Sequence, residues 1–267
     1  MEEIKKGRYA FPLCIQLTLP EDMEDAAFLK TLEQLERLGF YGVELNVTDF
    51  NAADPVRLKA LLGEHGLTMT MLASGAYAKR RDLSLSAPDE ATRRRSVAAL
   101  RDVLMPFARA MDCGIICGFI KGRPDGTEAQ LAKSIDEISG GEDAHVPVYL
   151  EATNHYESAV VNRLEEGARL IKPPFRLLPD TYHMNIEESS IPAALEAHKG
   201  LYDNLHISDS NRCFPGFGHI DFPGLFRLLK ALNYGGTMAI EGRCRRSLAE
   251  DIELSCAYLR AISEMIE

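Results

Sequence analysis

The feature that most restricts how this chain can fold is a repeat: short apolar runs with strand character alternate with amphipathic stretches along its whole length. The strand-like runs are Cys14–Leu17, Val43–Val47, Leu67–Leu72, Gly114–Ile120, Val146–Glu151, Phe175–Pro179, Asn204–Ile207 and Thr237–Glu241. Helices are expected between them at Glu24–Leu38 closed by Gly39, Arg57–His65 closed by Gly66, and Asp89–Met111, where Pro106 should kink or break the run. Thr127 opens the next with Gln130 in capping-box spacing, and Val160–Ile171, Ile191–His198, Asp221–Leu232 and Ser247–Met265 complete the series. Eight units in 267 residues average about 33 residues each, close to the dimensions of a (β/α)8 barrel. A single α/β domain, a (β/α)8 TIM barrel over residues 1–267, is therefore predicted. An open doubly wound sheet would carry a glycine-rich phosphate turn after its first strand, and Leu17-Thr18-Leu19-Pro20-Glu21-Asp22 lacks one.

Charge narrows the partners. Thirty basic against 40 acidic residues give a net charge of −10, which opposes binding to nucleic acid and to anionic membranes and favours a small-molecule enzyme. No apolar run approaches the roughly 20 residues of a membrane helix, and Met1-Glu2-Glu3-Ile4-Lys5-Lys6 is not followed by a signal-peptide apolar segment, so a cytoplasmic location is expected. The six cysteines (14, 113, 117, 213, 244 and 256) are too sparse for a disulfide framework. Cys113 and Cys117 are placed in the fourth strand, where four residues span about 13 Å, too far for a disulfide.

In a barrel of this type, chemistry is carried where the strands end. Strand two, Gly42-Val43-Glu44-Leu45-Asn46-Val47, alternates so that Val43, Leu45 and Val47 share one face and Glu44 and Asn46 the other. Glu44 then points into the barrel, either as a hydrogen-bonded part of its lining or toward substrate. Strands five to eight are richer, each closing an apolar run with a group able to bind metal: Glu151, Asp180, His206 and Glu241. Their separations of 29, 26 and 35 residues are each about one repeat, so the four side chains should meet at one rim. One acid at a strand end is often only a helix cap; four in register point to a shared site. Three carboxylates and one imidazole form a hard donor set suited to Mn²⁺, with Mg²⁺ or Co²⁺ as alternatives. A structural metal site is the competing use, but donors at the open face leave positions for substrate oxygens. Beyond each ligand lies a second polar group: Glu157, His183, Arg212 and Arg243.

Three segments carry a family resemblance: Asp180-Thr181-Tyr182-His183-Met184-Asn185-Ile186-Glu187-Glu188, His206-Ile207-Ser208-Asp209-Ser210-Asn211-Arg212, and Gly216-Phe217-Gly218-His219-Ile220-Asp221-Phe222. Together they resemble the D-tagatose/D-psicose 3-epimerase group of the xylose-isomerase-like barrels. Gly39-Phe40-Tyr41-Gly42-Val43-Glu44-Leu45 and Leu83-Ser84-Leu85-Ser86-Ala87-Pro88-Asp89 are similar to segments of the same superfamily. The resemblance implies metal ligands at Glu151, Asp180, His206 and Glu241, and substrate contacts from Glu157, His183 and Arg212. It departs from the pattern at Phe217, where relatives often have a basic residue, and at Cys14-Ile15-Gln16-Leu17, which lacks an aromatic that some ketose epimerases place beside the sugar.

The implied activity is 3-epimerisation of a free ketose by proton transfer through an enediolate, with Glu151 and Glu241 as the two acid/base groups. A sugar substrate and a homo-oligomer, dimer or tetramer, are expected. Hydroxypyruvate isomerase, inosose dehydratase or isomerase, and a phosphorylated-ketose epimerase are alternatives within the class. The first typically carries Gln where His206 stands; the last is raised by Arg243, Arg245 and Arg246 after strand eight. AP endonucleases of the superfamily need histidines after strands three and four, and none lies between His65 and His145. A non-catalytic sugar-binding barrel would have no reason to keep both Glu151 and Glu241.

Overall fold

Eight strands, β1 (Leu13–Thr18), β2 (Gly42–Asn46), β3 (Thr68–Ala73), β4 (Gly114–Cys117), β5 (Val148–Glu151), β6 (Phe175–Leu178), β7 (Asn204–Ile207) and β8 (Thr237–Ile240), form one parallel sheet in a computed structural model that describes residues 9–140 and 145–266. The order is β6-β5-β4-β3-β2-β1-β8-β7, so that β1 pairs with β8 as well as β2 and the sheet curls into a nearly closed barrel. The seam lies between β6 and β7. There His206 N–H donates to Pro179 O at 2.9 Å, and a single bridge joins Asp180 to His206. Pro179 has no N–H to return, so the ladder stops there.

The period of two along the strands separates two cores. Val43, Leu45, Val148, Leu150, Leu205, Ile207, Met238 and Ile240 belong to the large apolar layer between sheet and helices. The barrel interior holds a smaller cluster of Met71, Ala73, Ile116, Tyr149 and Leu178. Each fully buried aliphatic side chain of the outer layer contributes about 1.5–3 kcal/mol, which leaves the inner mouth of the barrel free to carry polar groups. Helix α1 (Ala26–Leu38) shows how the outer layer is supplied: Phe28, Leu32, Leu35 and Leu38 recur at helical spacing and are buried, Asp25 caps the start, and Gly39 ends it at φ 79°.

Several expected boundaries shift for local reasons. The long helix around Pro106 is divided into α4 (Glu90–Ala99) and α5 (Met105–Met111) by a widened π-type turn at Leu100–Leu104, which accommodates the missing proline N–H. The fourth strand stops at Cys117, three residues early, because the chain turns at Gly118 into a 3₁₀ turn, Phe119–Lys121. Cys113 accordingly precedes the strand and does not lie in it. Residues 160–163 do not join the helix expected from Val160; Val161 adopts φ 55°, and the helix begins only at Leu164. Two short helices, α3 (Gly75–Arg81) and α8 (Thr181–Glu187), add to those expected from the sequence. Among the described residues no helix is long and apolar enough to cross a membrane.

All six cysteines are free; Cys113 and Cys117 are buried and Cys244 is exposed. Burial pushes the Cys113 and Cys117 thiols up to about 12. In native protein at pH 8, a thiol reagent should therefore modify Cys244 rapidly and reach Cys113 and Cys117 only on unfolding. Fast native-state modification of Cys113 and Cys117, mapped by peptide mass, would contradict this arrangement.

Candidate active site

The inward positions at the ends of β5 to β8 converge. Glu151 ends β5, Asp180 follows β6, His206 lies in β7, and Glu241 follows β8; one donor atom from each lies within 4.8 Å of the others. His206 Nδ1 is 2.8 Å from Glu241 Oε2, 3.4 Å from Glu151 Oε1 and 3.8 Å from Asp180 Oδ2. Glu151 Oε1, His206 Nδ1 and Glu241 Oε2 are buried without a properly directed hydrogen-bond partner. Orphaned polar atoms are costly in a protein interior, and three facing one point form a donor set of oxygen and nitrogen that fits a divalent cation.

Asp180 serves two neighbours. Its Oδ1 caps α8, accepting from Tyr182 N–H at 2.8 Å and His183 N–H at 3.2 Å, which turns Oδ2 toward the cluster. The helix-cap use and the cluster position are thus held by one carboxylate. Arg212 reaches the same group, donating from Nη1 to Asp180 Oδ2 at 2.7 Å and pairing through Nη2 with Glu241 Oε1 at 2.8 Å. Its backbone sits at φ 62°, an uncommon conformation for a residue with a side chain, held by Arg212 N–H to Asp209 O and Arg243 N–H to Arg212 O. Burial alone would raise the Glu241 carboxyl, but Arg212 and His206 overcome it and hold Glu241 well below the usual carboxylate range. Burial alone would lower the His206 imidazole; the carboxylates of Glu44 and Glu241 outweigh it and raise it well above the histidine range.

His183 is buried beside the cluster, with Nε2 3.9 Å from Glu151 Oε1. The Asn154 backbone N–H donates to its Nδ1 at 3.1 Å, so the ring proton sits on Nε2 and faces the pocket. Glu157 is exposed in the loop after β5, tied to Asn154 Nδ2 at 3.2 Å. Glu151, Glu157, His183, Arg212 and Glu241 all line a pocket of about 120 Å³. Asp180 and His206 lie beneath that surface, fully buried. Arg243 is not among the pocket residues.

Other residues here carried no motif in the sequence. Gln16, Asn46 and Phe119 also line the pocket; Asn46 Oδ1 accepts from Ala76 N–H, and its Nδ2 donates to Gln16 Oε1 at 3.0 Å. A β-carbon on Gly118 would collide with Glu151 Oε2, so a larger residue there would displace that carboxylate from the cluster. Lys121 is fully buried, donating to Glu151 O at 2.8 Å, Thr153 Oγ1 at 2.8 Å and Val161 O at 2.9 Å. Burial lowers its amine to about 8, with Glu151 acting in the opposite direction. Glu44 is buried against β7, at 2.9 Å from His206 Nε2 and 2.6 Å from Asn204 Nδ2, which assigns it to the barrel lining. Lysine and glutamate are seldom fully buried unless paired, and nothing in the local sequence shows that Lys121 and Glu44 have such partners.

Residues 32–262 match the family of xylose isomerase-like TIM barrels. The chain belongs to this family. Among characterised relatives, the 3-dehydro-D-guloside 4-epimerase of Escherichia coli is 39% identical over 118 residues, a stretch covering 42% of this chain and 45% of that one. The ketose 3-epimerase of Arthrobacter globiformis is 29% identical over 234 residues, covering 83% of this chain and 80% of the relative. The crystal structure of an E. coli 3-keto-D-glucoside 4-epimerase superposes with a TM-score of 0.76 at 24% identity, over 94% of this barrel and 99% of the other.

In this family member the loop bearing Glu157 hangs on Lys121. Lys121→Met would take a donor from three buried acceptors, of which Val161 O keeps the Thr153 N–H at 3.2 Å, and destabilisation of about 2–5 kcal/mol is expected from urea unfolding. A change below about 0.5 kcal/mol would show that the three contacts are not needed for the fold.

Proposed function

We propose that the protein is a divalent-metal-dependent sugar epimerase that inverts a carbon beside a ketone by proton transfer through an enediolate. The observation that carries this is the donor cluster at the edge of the pocket, with three buried atoms that lack a hydrogen-bond partner. Glu151, Asp180, His206 and Glu241 would hold the cation, Mn²⁺ in the first instance. A cation held there supplies positive charge against which negative charge on the substrate oxygens can develop.

The remaining chemistry belongs to side chains. Glu151 and Glu241 come from strands three apart around the ring and both reach the pocket. One removes the proton from one face of the carbon and the other returns a proton to the opposite face. His183 Nε2–H donates to a substrate oxygen, Glu157 accepts from a hydroxyl, and the Arg212 guanidinium contacts the carbonyl end, fixing which carbon meets the two bases.

The finer reading is 3-epimerisation of a free ketose, as the name of the A. globiformis relative suggests. A second reading, inversion at C4 of a 3-keto-glycoside, is favoured by the higher identity to the E. coli enzyme over its shorter stretch. The two share one step, since C3 of a 2-ketose and C4 of a 3-keto sugar both adjoin the carbonyl. A phosphorylated substrate is disfavoured by the helix that follows β8, α11 (Leu248–Ile266). Asp251 Oδ2 accepts from Arg245 and Arg246 N–H, and Glu250 accepts from Ser247 N–H and hydroxyl, so protein carboxylates occupy the donors that would cradle phosphate. Arg246 lies over the Phe217 ring, 5.4 Å from its centre. The DNA-directed reading finds no support in a cluster with one histidine on a chain of charge −10.

Chelation should abolish turnover and Mn²⁺ or Co²⁺ restore it, with Asp180→Asn lowering metal affinity more than thermal stability; full activity in metal-free protein would reject the metal role. A panel of free ketoses and 3-keto-glucosides, run in deuterated water, should give an epimer carrying deuterium at the inverted carbon. Complete retention of the substrate hydrogen would exclude the two-base scheme. Phosphate esters should show lower kcat/KM than the free sugars, and an ester preference removed by replacing Arg243, Arg245 and Arg246 with Ala would reverse that assignment.

A further inference from the structure

We infer that Glu44 is a positioning residue: it accepts the Nε2 proton of His206 and so presents Nδ1, among the three carboxylates, to a bound cation. This rests on the reading of the cluster as a divalent-cation site. The reasoning starts two residues before His206, at Asn204, whose amide orientation is set from outside the site. Asn204 Oδ1 accepts from Leu205 N–H at 3.0 Å and from the Thr237 hydroxyl at 2.9 Å. The opposite end, Nδ2, must therefore donate, and its partner is Glu44 Oε1 at 2.6 Å. The second Glu44 oxygen, Oε2, stands 2.9 Å from His206 Nε2. With both oxygens of a carboxylate accepting, the proton of that contact belongs to the imidazole, on Nε2. His206 Nδ1 is then the nitrogen left to meet a cation, and it faces Glu151, Asp180 and Glu241.

Glu44 reaches this contact from β2, three strands away around the barrel, and is completely buried together with Asn204 and His206. In that setting the side chain is hard to replace. A glutamine has one accepting atom and one donating atom, so it would confront either Asn204 Nδ2 or His206 Nε2 with a second donor. Turning Asn204 over to relieve the clash would break its bonds to Leu205 and Thr237. The relay from Thr237 through Asn204 and Glu44 thus holds the ring's proton and angle at once, and outer partners of this kind tune metal affinity.

Two measurements test it on the whole protein. Mn²⁺ binding by calorimetry should weaken about 10–100-fold in Glu44→Gln and only several-fold in Thr237→Val, in line with the cost of losing such outer partners. In ¹⁵N-histidine protein loaded with Zn²⁺, long-range proton–nitrogen correlation should show His206 metallated at Nδ1 and protonated at Nε2. That N–H should exchange slowly in the wild type and rapidly in Glu44→Gln. Metallation at Nε2, or Glu44→Gln protein with Mn²⁺ affinity within twofold of wild type, would overturn the role of Glu44 while leaving the metal site standing. Wild-type protein that takes up neither Mn²⁺ nor Zn²⁺ would overturn the metal site and the role together. Should Glu44→Gln fail to fold, the wild-type tautomer and the Thr237→Val affinity still decide the matter, no change in the latter and Nε2 metallation counting against it.

Discussion

Carboxylates held within a few ångströms of one another in a protein interior repel, each pair by about 4 kcal/mol at an intermediate dielectric, and positive charge must lie among them. Glu151, Asp180 and Glu241 meet that condition at the end of this barrel. Arg212 bridges two of them from one side, and the His206 imidazole lies between all three. Three atoms of the cluster still lack a hydrogen-bond partner. The arrangement is stable enough to be built and electrostatically incomplete, which is the condition of a site that takes up a cation.

The barrel tolerates this because its stability is generated elsewhere. The outward halves of the strands bury the large apolar layer under the helices, and the inward halves are left to pack Tyr149, Met71 and Ile116 below and polar groups above. The seam between β6 and β7 matters to the site. Asp180 and His206 form the bridge that closes it, so two candidate ligands are also the last link of the sheet. Asp180 adds the cap of α8, whose third residue is His183, and thereby couples the cluster to a pocket wall. A change at Asp180 acts on three structures at once.

The pocket lining joins the imidazole of His183 and the carboxylate of Glu157 with the Gln16–Asn46 amide pair and Phe119. Such a lining suits a ligand with several hydroxyls and a carbonyl. The carboxylates that tie up the donors before α11 leave no comparable cradle for a phosphate.

The eightfold alternation and the residues at the strand ends were legible in the sequence because both obey periods: two along a strand and about one repeat from strand to strand. Glu151, Asp180, His206 and Glu241 share the inward phase of β5 to β8, and this brought them onto one list without any structure. That the helix around Pro106 would break was legible, since the cause is local; that it breaks through a π-type turn at Leu100–Leu104 was not, nor were the shortened fourth strand and the left-handed turns at Val161 and Arg212. The same holds for Lys121 and Gly118, and for the partners of Glu44, whose inward direction alone was readable. Their partners lie about 30 to 160 residues away, and a lysine, a glycine or an inward glutamate looks the same in sequence whether or not such a partner exists. The sequence by itself determined which strands carry the chemistry; only the tertiary structure decided which atoms of those side chains face one another, because orientation is set by hydrogen bonds that close across the barrel and not along the chain.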